Sequence, residues 1–233
     1  MNREKPARWA ISDIHGCAKT FKKLVKDKIN LSKNDHLYLL GDYIDRGPNS
    51  KGVIDFILKL KKEGHQVTCL LGNHEQMMLN ARVSITESRR WMLAGGIAAL
   101  DSYAANSLDD LPKKHLVFFQ NLKHCVVLKD YILVHAGLNF DLPDPFLDKQ
   151  SMIWIRNWHH RANKEWLAGK VIVHGHTPIK KEQIKFQRKM YAIQQVIDID
   201  NGCFFKDKKG MGQLCALNLD DRSLIFQPNI DGD

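Results

Sequence analysis

The 233-residue chain is short of several features that mark simple functional classes. It has five cysteines, at positions 17, 69, 125, 203 and 215, an odd number with no paired spacing. That excludes the disulfide framework of a small secreted domain; Cys69, Cys125 and Cys215 lie in apolar runs and read as reduced, buried thiols. No long hydrophobic run is present. The longest apolar stretch, near Trp91–Leu100, falls far below the ~20 residues that a membrane helix needs. Met1-Asn2-Arg3-Glu4-Lys5-Pro6 is followed by only Trp9-Ala10-Ile11 as an apolar block before Ser12-Asp13, which does not read as a secretory signal. A cytoplasmic protein with no membrane partner is therefore expected. There is no repeat, no low-complexity run and no Ser/Pro/Gly-rich linker, so residues 1–233 read as one domain.

Negative charge is the scarcer sign. Lys and Arg number 35 against 26 Asp and Glu, a formal net charge of +9. An anionic partner is favoured, such as a phosphate ester. The positive charge is dispersed, as in Lys22-Lys23, Lys61-Lys62, Lys113-Lys114, Lys180-Lys181 and Lys206–Lys209. It lacks interleaved aromatics, so it reads as solvated helix faces and loops rather than a nucleic-acid groove.

What is present is an alternation of short apolar strands and amphipathic helices. Arg8–Ile14, His36–Leu40 and Gln66–Leu71 read as strands. Ala18–Ile29 and Glu75–Val83 read as helices, as does a segment capped by Ser50, carrying Val53, Ile54, Ile57 and Leu58 at helical spacing and stopped at Gly64. A helix-rich stretch over Glu87–Leu122 breaks at Gly95-Gly96. Cys125–Leu128 and Tyr131–His135 flank Lys129-Asp130 as a hairpin. Val171–Val173, Val196–Ile199, Gln213–Leu219 and Leu224–Gln227 complete the strands. This order argues for an α/β fold with helices outside and two sheets inside.

Polar clusters close the strands one after another: Ser12-Asp13-Ile14-His15-Gly16, Gly41-Asp42-Tyr43-Ile44-Asp45-Arg46-Gly47, Gly72-Asn73-His74-Glu75, His135-Ala136-Gly137 and His174-Gly175-His176-Thr177-Pro178. Open α/β sheets place their sites beyond the carboxyl ends of strands. The residue types are those of a metal site. Asp13 and His15 share one face of extended chain, and Asp42 offers a carboxylate able to bridge two cations. One site of Asp13, His15 and Asp42 and a second of Asp42, Asn73, His135 and His176 give mixed N/O coordination without thiolate. Such a set suits Mn²⁺ first, with Fe or Zn²⁺ as alternatives. Two metals ~3.5–4 Å apart can activate a shared water and clamp a phosphoryl group.

The ordered set DIHG, GDYIDRG, GNHE, HAG and GHTP resembles the calcineurin-like metallophosphoesterases of the phosphoprotein phosphatase type, and most of all the bacterial and phage serine/threonine protein phosphatases. The stretch Ile197–Cys203 resembles that group's last strand, so nearly the whole chain is covered. The resemblance implies a four-layer α-β-β-α sandwich with two central mixed sheets, and two divalent metal ions on the ligands just named. It implies a metal-bridging hydroxide as nucleophile and His74 as general acid, held protonated and oriented by the Asp45 carboxylate. It also implies phosphate binding by Arg46 and by Arg156, the arginine of a W-x-R pattern at Trp154-Ile155-Arg156. The implied activity is hydrolysis of phosphoseryl and phosphothreonyl groups on proteins.

Plainer readings stand beside these. Asp13 and Asp42 could cap the helices that follow; Glu75 complements a helix N-terminus rather than binding metal. Cys17 reads as a buried thiol or one that supports the ligands from behind, and His174 as a residue that either supports the ligands or packs. His36, His65, His115, His124, His159 and His160 read as surface or structural, and Met77-Met78 as core. The competing enzyme is a nucleotide hydrolase, such as the symmetrical diadenosine-tetraphosphate hydrolases. Those commonly read ARG at Asp45-Arg46-Gly47 and GNHD at Glu75. A competing non-enzyme is a basic nucleic-acid-binding or scaffold domain, which would be expected to lack a ligand or the acid; this chain has all of them.

Overall fold

The computed structural model describes residues 5–205 and 207–231; Met1–Glu4 and Lys206, both considered above, lie outside the described residues. The strands are β1 (Arg8–Ile11), β2 (His36–Leu39), β3 (Gln66–Cys69), β4 (Cys125–Val127), β5 (Tyr131–Val134), β6 (Val171–His174), β7 (Val196–Asp198), β8 (Gln213–Asn218) and β9 (Leu224–Pro228). They form two mixed sheets. One runs β3-β2-β1-β8-β9, the other β4-β5-β6-β7. β1, β2 and β3 are parallel, with β8 and β9 antiparallel. In the second sheet β5, β6 and β7 are parallel, and β4 closes the expected hairpin.

The period of two along each strand builds the layers. Trp9, Ile11, Leu37, Leu39, Leu214 and Ala216 face outward onto helical residues such as Phe21, Ile54 and Ile57. Their neighbours Ala10, Tyr38, Cys215 and Leu217 face inward onto Tyr131, Leu133, Val171 and Val173 of the second sheet. The alternate residues of that sheet, Ile132, Val134, Ile172 and Val196, turn out onto Met152, Ile153 and Leu167. The result is helix on sheet on sheet on helix, with the middle core between the sheets.

Several boundaries differ from the sequence reading. β1 stops at Ile11 because Asp13 enters the left-handed region at φ 47° and the chain leaves the ladder. The Ala18–Ile29 helix is α-helical only over α1 (Ala18–Lys23); it continues with π geometry over Leu24–Ile29. Asn49, not Ser50, caps α2 (Ser50–Lys62): its side chain accepts the Gly52 N–H, while the Ser50 hydroxyl accepts the Asp45 N–H at 3.0 Å. α3 spans Asn73–Ala81, starting two residues early because the Glu75 carboxylate reaches back to the Gly72 N–H. Helical geometry is lost at Gly95, as the Gly-Gly break requires. The Lys181–Lys189 helix has no counterpart in the sequence reading; only Ile184 of it is buried, too little for an apolar period. All five cysteines are free, four of them buried and Cys125 half-buried.

Candidate metal centre

The parallel strands of both sheets deliver their loops to one place. His15 N–H donates to Asp42 O and Gly16 N–H to Tyr43 O, both at 2.9 Å, and Gly175 N–H donates to His135 O at 2.8 Å. His176 N–H donates to the Asp13 carboxylate at 3.1 Å, joining the two sheets. A side chain at Gly175 would overlap Ser12 and Asp13, so only glycine allows this approach.

The backbone is strained where the functional side chains sit. Among the described residues, twelve non-glycine positions have positive φ, and six of them are Asp13, His15, Asp42, Asp45, Arg46 and His176, at 43° to 73°. Each costs roughly 1–3 kcal/mol and persists only where surrounding contacts impose it.

Two groups of donor atoms result, each within 4.8 Å mutually: His15, Asp42 and His74, and Asp42, His135 and His176. Asp42 belongs to both. His135 Nδ1 donates to Leu40 O at 2.9 Å, so the neutral ring presents a lone pair at Nε2. That lone pair faces Asn73 Oδ1 at 3.0 Å and Asp42 Oδ1 at 3.5 Å. His176 Nδ1 lies 2.9 Å from the same Asn73 oxygen, and its buried Nε2 has no hydrogen-bond partner. Burial lowers the His135 pKa to about 3 and the His176 pKa to about 2, keeping both rings neutral. Two imidazoles held neutral, a carboxylate and an amide oxygen converge on one point, so the donor set fits a metal ion. In the first group, His15 Nδ1 donates to Ile44 O at 2.9 Å and its Nε2 faces Asp42 Oδ2 at 3.5 Å. The Arg46 guanidinium also reaches that Nε2, at 3.0 Å. Asp13 joins neither group; its carboxylate accepts from the Ser12 hydroxyl and the His176 N–H. Burial, then the nearby Asp200 and Asp42 charges, push its pKa well up.

His74 opens α3. Its Nδ1 meets Asp45 Oδ2 at 2.7 Å, and Trp91 Nε1–H donates to the same oxygen at 2.9 Å. Its Nε2 lies 4.0 Å from Asp42 Oδ2. Burial pulls the His74 pKa below its ordinary value and pushes that of Asp45 well above. At His74 desolvation therefore outweighs the attraction of the nearby Asp42 carboxylate. Arg46 and Arg156 are exposed. Arg46 lies over the Phe204 ring at 4.5 Å, and Arg156 donates to Thr177 Oγ1 at 3.0 Å. Both charges are felt at Asp42, whose pKa they lower against the larger effect of burial.

Glu75 does more than complement α3. Its two carboxylate oxygens accept four N–H groups, those of Asp42 (2.9 Å), Tyr43 (2.8 Å), Ile44 (3.3 Å) and Gly72 (3.1 Å). It holds the Asp42 loop against the helix. In Glu75→Gln, whichever oxygen becomes an amide nitrogen leaves two buried N–H groups facing donors. At ~1–3 kcal/mol per orphaned group the expected loss is about 2–6 kcal/mol. The metal-free melting temperature should fall by roughly 5–20 °C for a chain of this size; an unchanged melt would show that the clamp does not support the loop.

Residues 8–202 match the family model described as Metallophos, calcineurin-like phosphoesterase. The chain belongs to this family. Calcineurin-like phosphoesterases use a pair of metal ions, and the two groups sharing Asp42 are side chains that could hold them. Serine/threonine-protein phosphatase 1 of Salmonella typhimurium is 41% identical over 38% of this chain and 38% of its own length. The asymmetrical bis(5'-nucleosyl)-tetraphosphatase of Anoxybacillus flavithermus is 25% identical over 94% of this chain and 93% of its own. The matches to the first curated relatives span only 29 to 45% of those proteins. A serine/threonine phosphatase structure from Saccharomyces cerevisiae superposes with a TM-score of 0.68 at 15% identity, over 98% of this chain and 82% of that one, which speaks for the fold.

Every residue singled out in the five motifs of this phosphoesterase lies in or beside the centre. Sequence reasoning missed Trp91, which it took only as part of an apolar stretch, and Phe204. It also missed Asp198 and Asp200, both buried, with pKa values pushed up by burial. Two aspartates spaced by one residue, one inside and one just after the apolar run Val196–Ile199, were the available signal. His159 lies beside His174, at 2.8 Å between their Nε2 atoms.

Proposed function

We propose that this phosphoesterase hydrolyses phosphomonoesters, and that its substrates are phosphoseryl and phosphothreonyl groups on proteins. Asp42, Asn73, His135 and His176 hold one divalent cation, and Asp13, His15 and Asp42 the other. The oxygen and nitrogen donors without thiolate suit Mn²⁺, with Fe or Zn²⁺ as alternatives. When bound, the two cations supply charge neutralisation at the phosphoryl group and lower the pKa of water. Arg46 and Arg156 bind the phosphate oxygens and orient the ester. His74 gives a proton from Nε2 to the leaving oxygen. Asp45 holds its Nδ1 and is itself held by Trp91, so the acid enters the reaction already aligned. Residues 1–233 act as one domain, in the cytoplasm.

The observation that carries the substrate assignment is the His74–Asp45–Trp91 chain. A seryl alkoxide is a poor leaving group and needs a positioned acid, whereas a nucleotide phosphate leaves without one. Asp45 and Glu75, where diadenosine-type hydrolases commonly carry other residues, support the same side. A nucleotide hydrolase is the second reading, supported by the tetraphosphatase name of the relative aligned over most of the chain. A non-catalytic nucleic-acid or scaffold role has no support in a site with its ligands and acid present.

With Mn²⁺ reconstituted, kcat/KM for a phosphoseryl or phosphothreonyl peptide should exceed that for diadenosine tetraphosphate by about tenfold or more, or roughly 1.4 kcal/mol of transition-state preference. Preference for the dinucleotide in the same buffer would move the assignment to the second reading. Absence of both activities would overturn both substrate readings.

A further inference from the structure

Trp158 and His159 lie on the second sheet's outer side, 23 residues or more from any proposed ligand in sequence except His176. Trp158 is buried, and its Nε1–H donates to Ala136 O at 3.0 Å. The indole sits on Gly137 so closely that no side chain could replace that hydrogen. Ala136 N–H donates to Met152 O at 2.8 Å, so both peptide groups of the residue after His135 are held by the segment leading into Trp158. The next residue performs the matching task on the neighbouring strand. His159 stacks on the Trp158 ring at 4.7 Å and 20°, and its Nε2 meets His174 Nε2 at 2.8 Å. His174 Nδ1 donates to Gly175 O at 2.9 Å. A neutral imidazole has one N–H, so the His174 Nε2 accepts and His159 donates. His174 and Gly175 lead directly into His176. One dipeptide thus grips the chain just after His135 and just before His176, whose rings lie 5.1 Å apart.

The geometry points to Trp158 and His159 as positioning residues for the cation site of Asp42, Asn73, His135 and His176, a clamp that sets the separation of its two imidazoles from the side away from the cation. This rests on the metal assignment proposed above. The first group, built on β1 and β2, has no contact with the dipeptide among the hydrogen bonds and ring contacts described. The clamp therefore acts on one cation site and spares the other. Residues that orient metal ligands are typically worth about 10–100-fold in metal affinity.

The test is calorimetric Mn²⁺ titration of the metal-free full chain. Wild type should take up two ions; fewer would overturn the metal assignment itself, and is read before any variant. His15→Ala leaves the second site to be measured alone, and His176→Ala leaves the first. In the His15→Ala background, His159→Phe keeps the stacked ring, loses the donor and should weaken Mn²⁺ binding by about 10–100-fold. His159→Gln restores a donor and should recover most of that loss. In the His176→Ala background the same two substitutions should leave affinity within about twofold of their parent, a selectivity that general loosening of the fold would not produce. Trp158→Phe, which loses the donor to Ala136 together with part of the buried ring, should repeat the His159→Phe pattern and serves if that variant fails to fold. Unchanged affinity at the second site, equal weakening at both sites, or failure of glutamine to rescue would each overturn the clamp.

Discussion

Asp42→Asn is expected to lower turnover by on the order of 10³-fold or more, with loss of bound metal. Asp42 is the one carboxylate common to both donor groups. Its Oδ2 faces His15 Nε2 and its Oδ1 faces His135 Nε2, each at 3.5 Å. The amide keeps the shape and one acceptor, so the hydrogen bond from the His74 N–H, 3.1 Å from Oδ1, can survive. The Glu75 clamp on the Asp42 N–H is untouched, because it involves backbone only. The fold should therefore persist, with a metal-free melting temperature close to that of the parent. What changes is charge: the variant places a neutral group where two cations need a shared anion. Elemental analysis of the purified variant decides the matter. Two full equivalents of metal with near-normal turnover would remove Asp42 from its bridging role.

His74→Asn should fail in a different way. Its atoms lie close enough to Asp42 and His15 to be counted as ligands by distance, so metal content separates two roles that geometry leaves adjacent. If His74 is the acid, the variant keeps both metals and loses ~10²–10⁴-fold in turnover on alkyl phosphates, where the leaving oxygen needs a proton. On p-nitrophenyl phosphate, whose leaving group hardly needs one, the loss should be much smaller. Asp45→Asn should show a milder form of the same divergence, since the ring and an oxygen able to accept from its Nδ1 remain but the carboxylate charge is gone. Loss of a metal in His74→Asn, or equal losses on both substrates, would contradict the acid role.

The alternation of apolar residues is local information, and it was enough for the nine strands to be placed within a few residues and for the α/β layering to follow. The five polar clusters were equally legible, because each ends a strand and each combines a carboxylate, amide or imidazole with glycine. What one cluster does to another was not in the sequence. Asp42 and Glu75 are 33 positions apart, and only folding brings four backbone N–H groups onto one carboxylate. Trp91 is 46 positions from Asp45, and its place in an apolar run concealed an indole N–H aimed at the acid's partner. Ser50 read as a helix cap until the Asp45 loop was seen to take its hydroxyl. His159, solvent-facing and without a motif, became a donor to His174 only when the turn after the Lys149–Trp154 helix closed against β6. In each case the side chain goes where a buried polar group would otherwise be unpaired. That demand arises between segments distant in sequence, which leave no period or spacing by which to recognise it. Residue identity and strand period therefore set the fold class and the donor inventory, while the burial of polar groups where loops and helices close against the sheets decided which donors face one another.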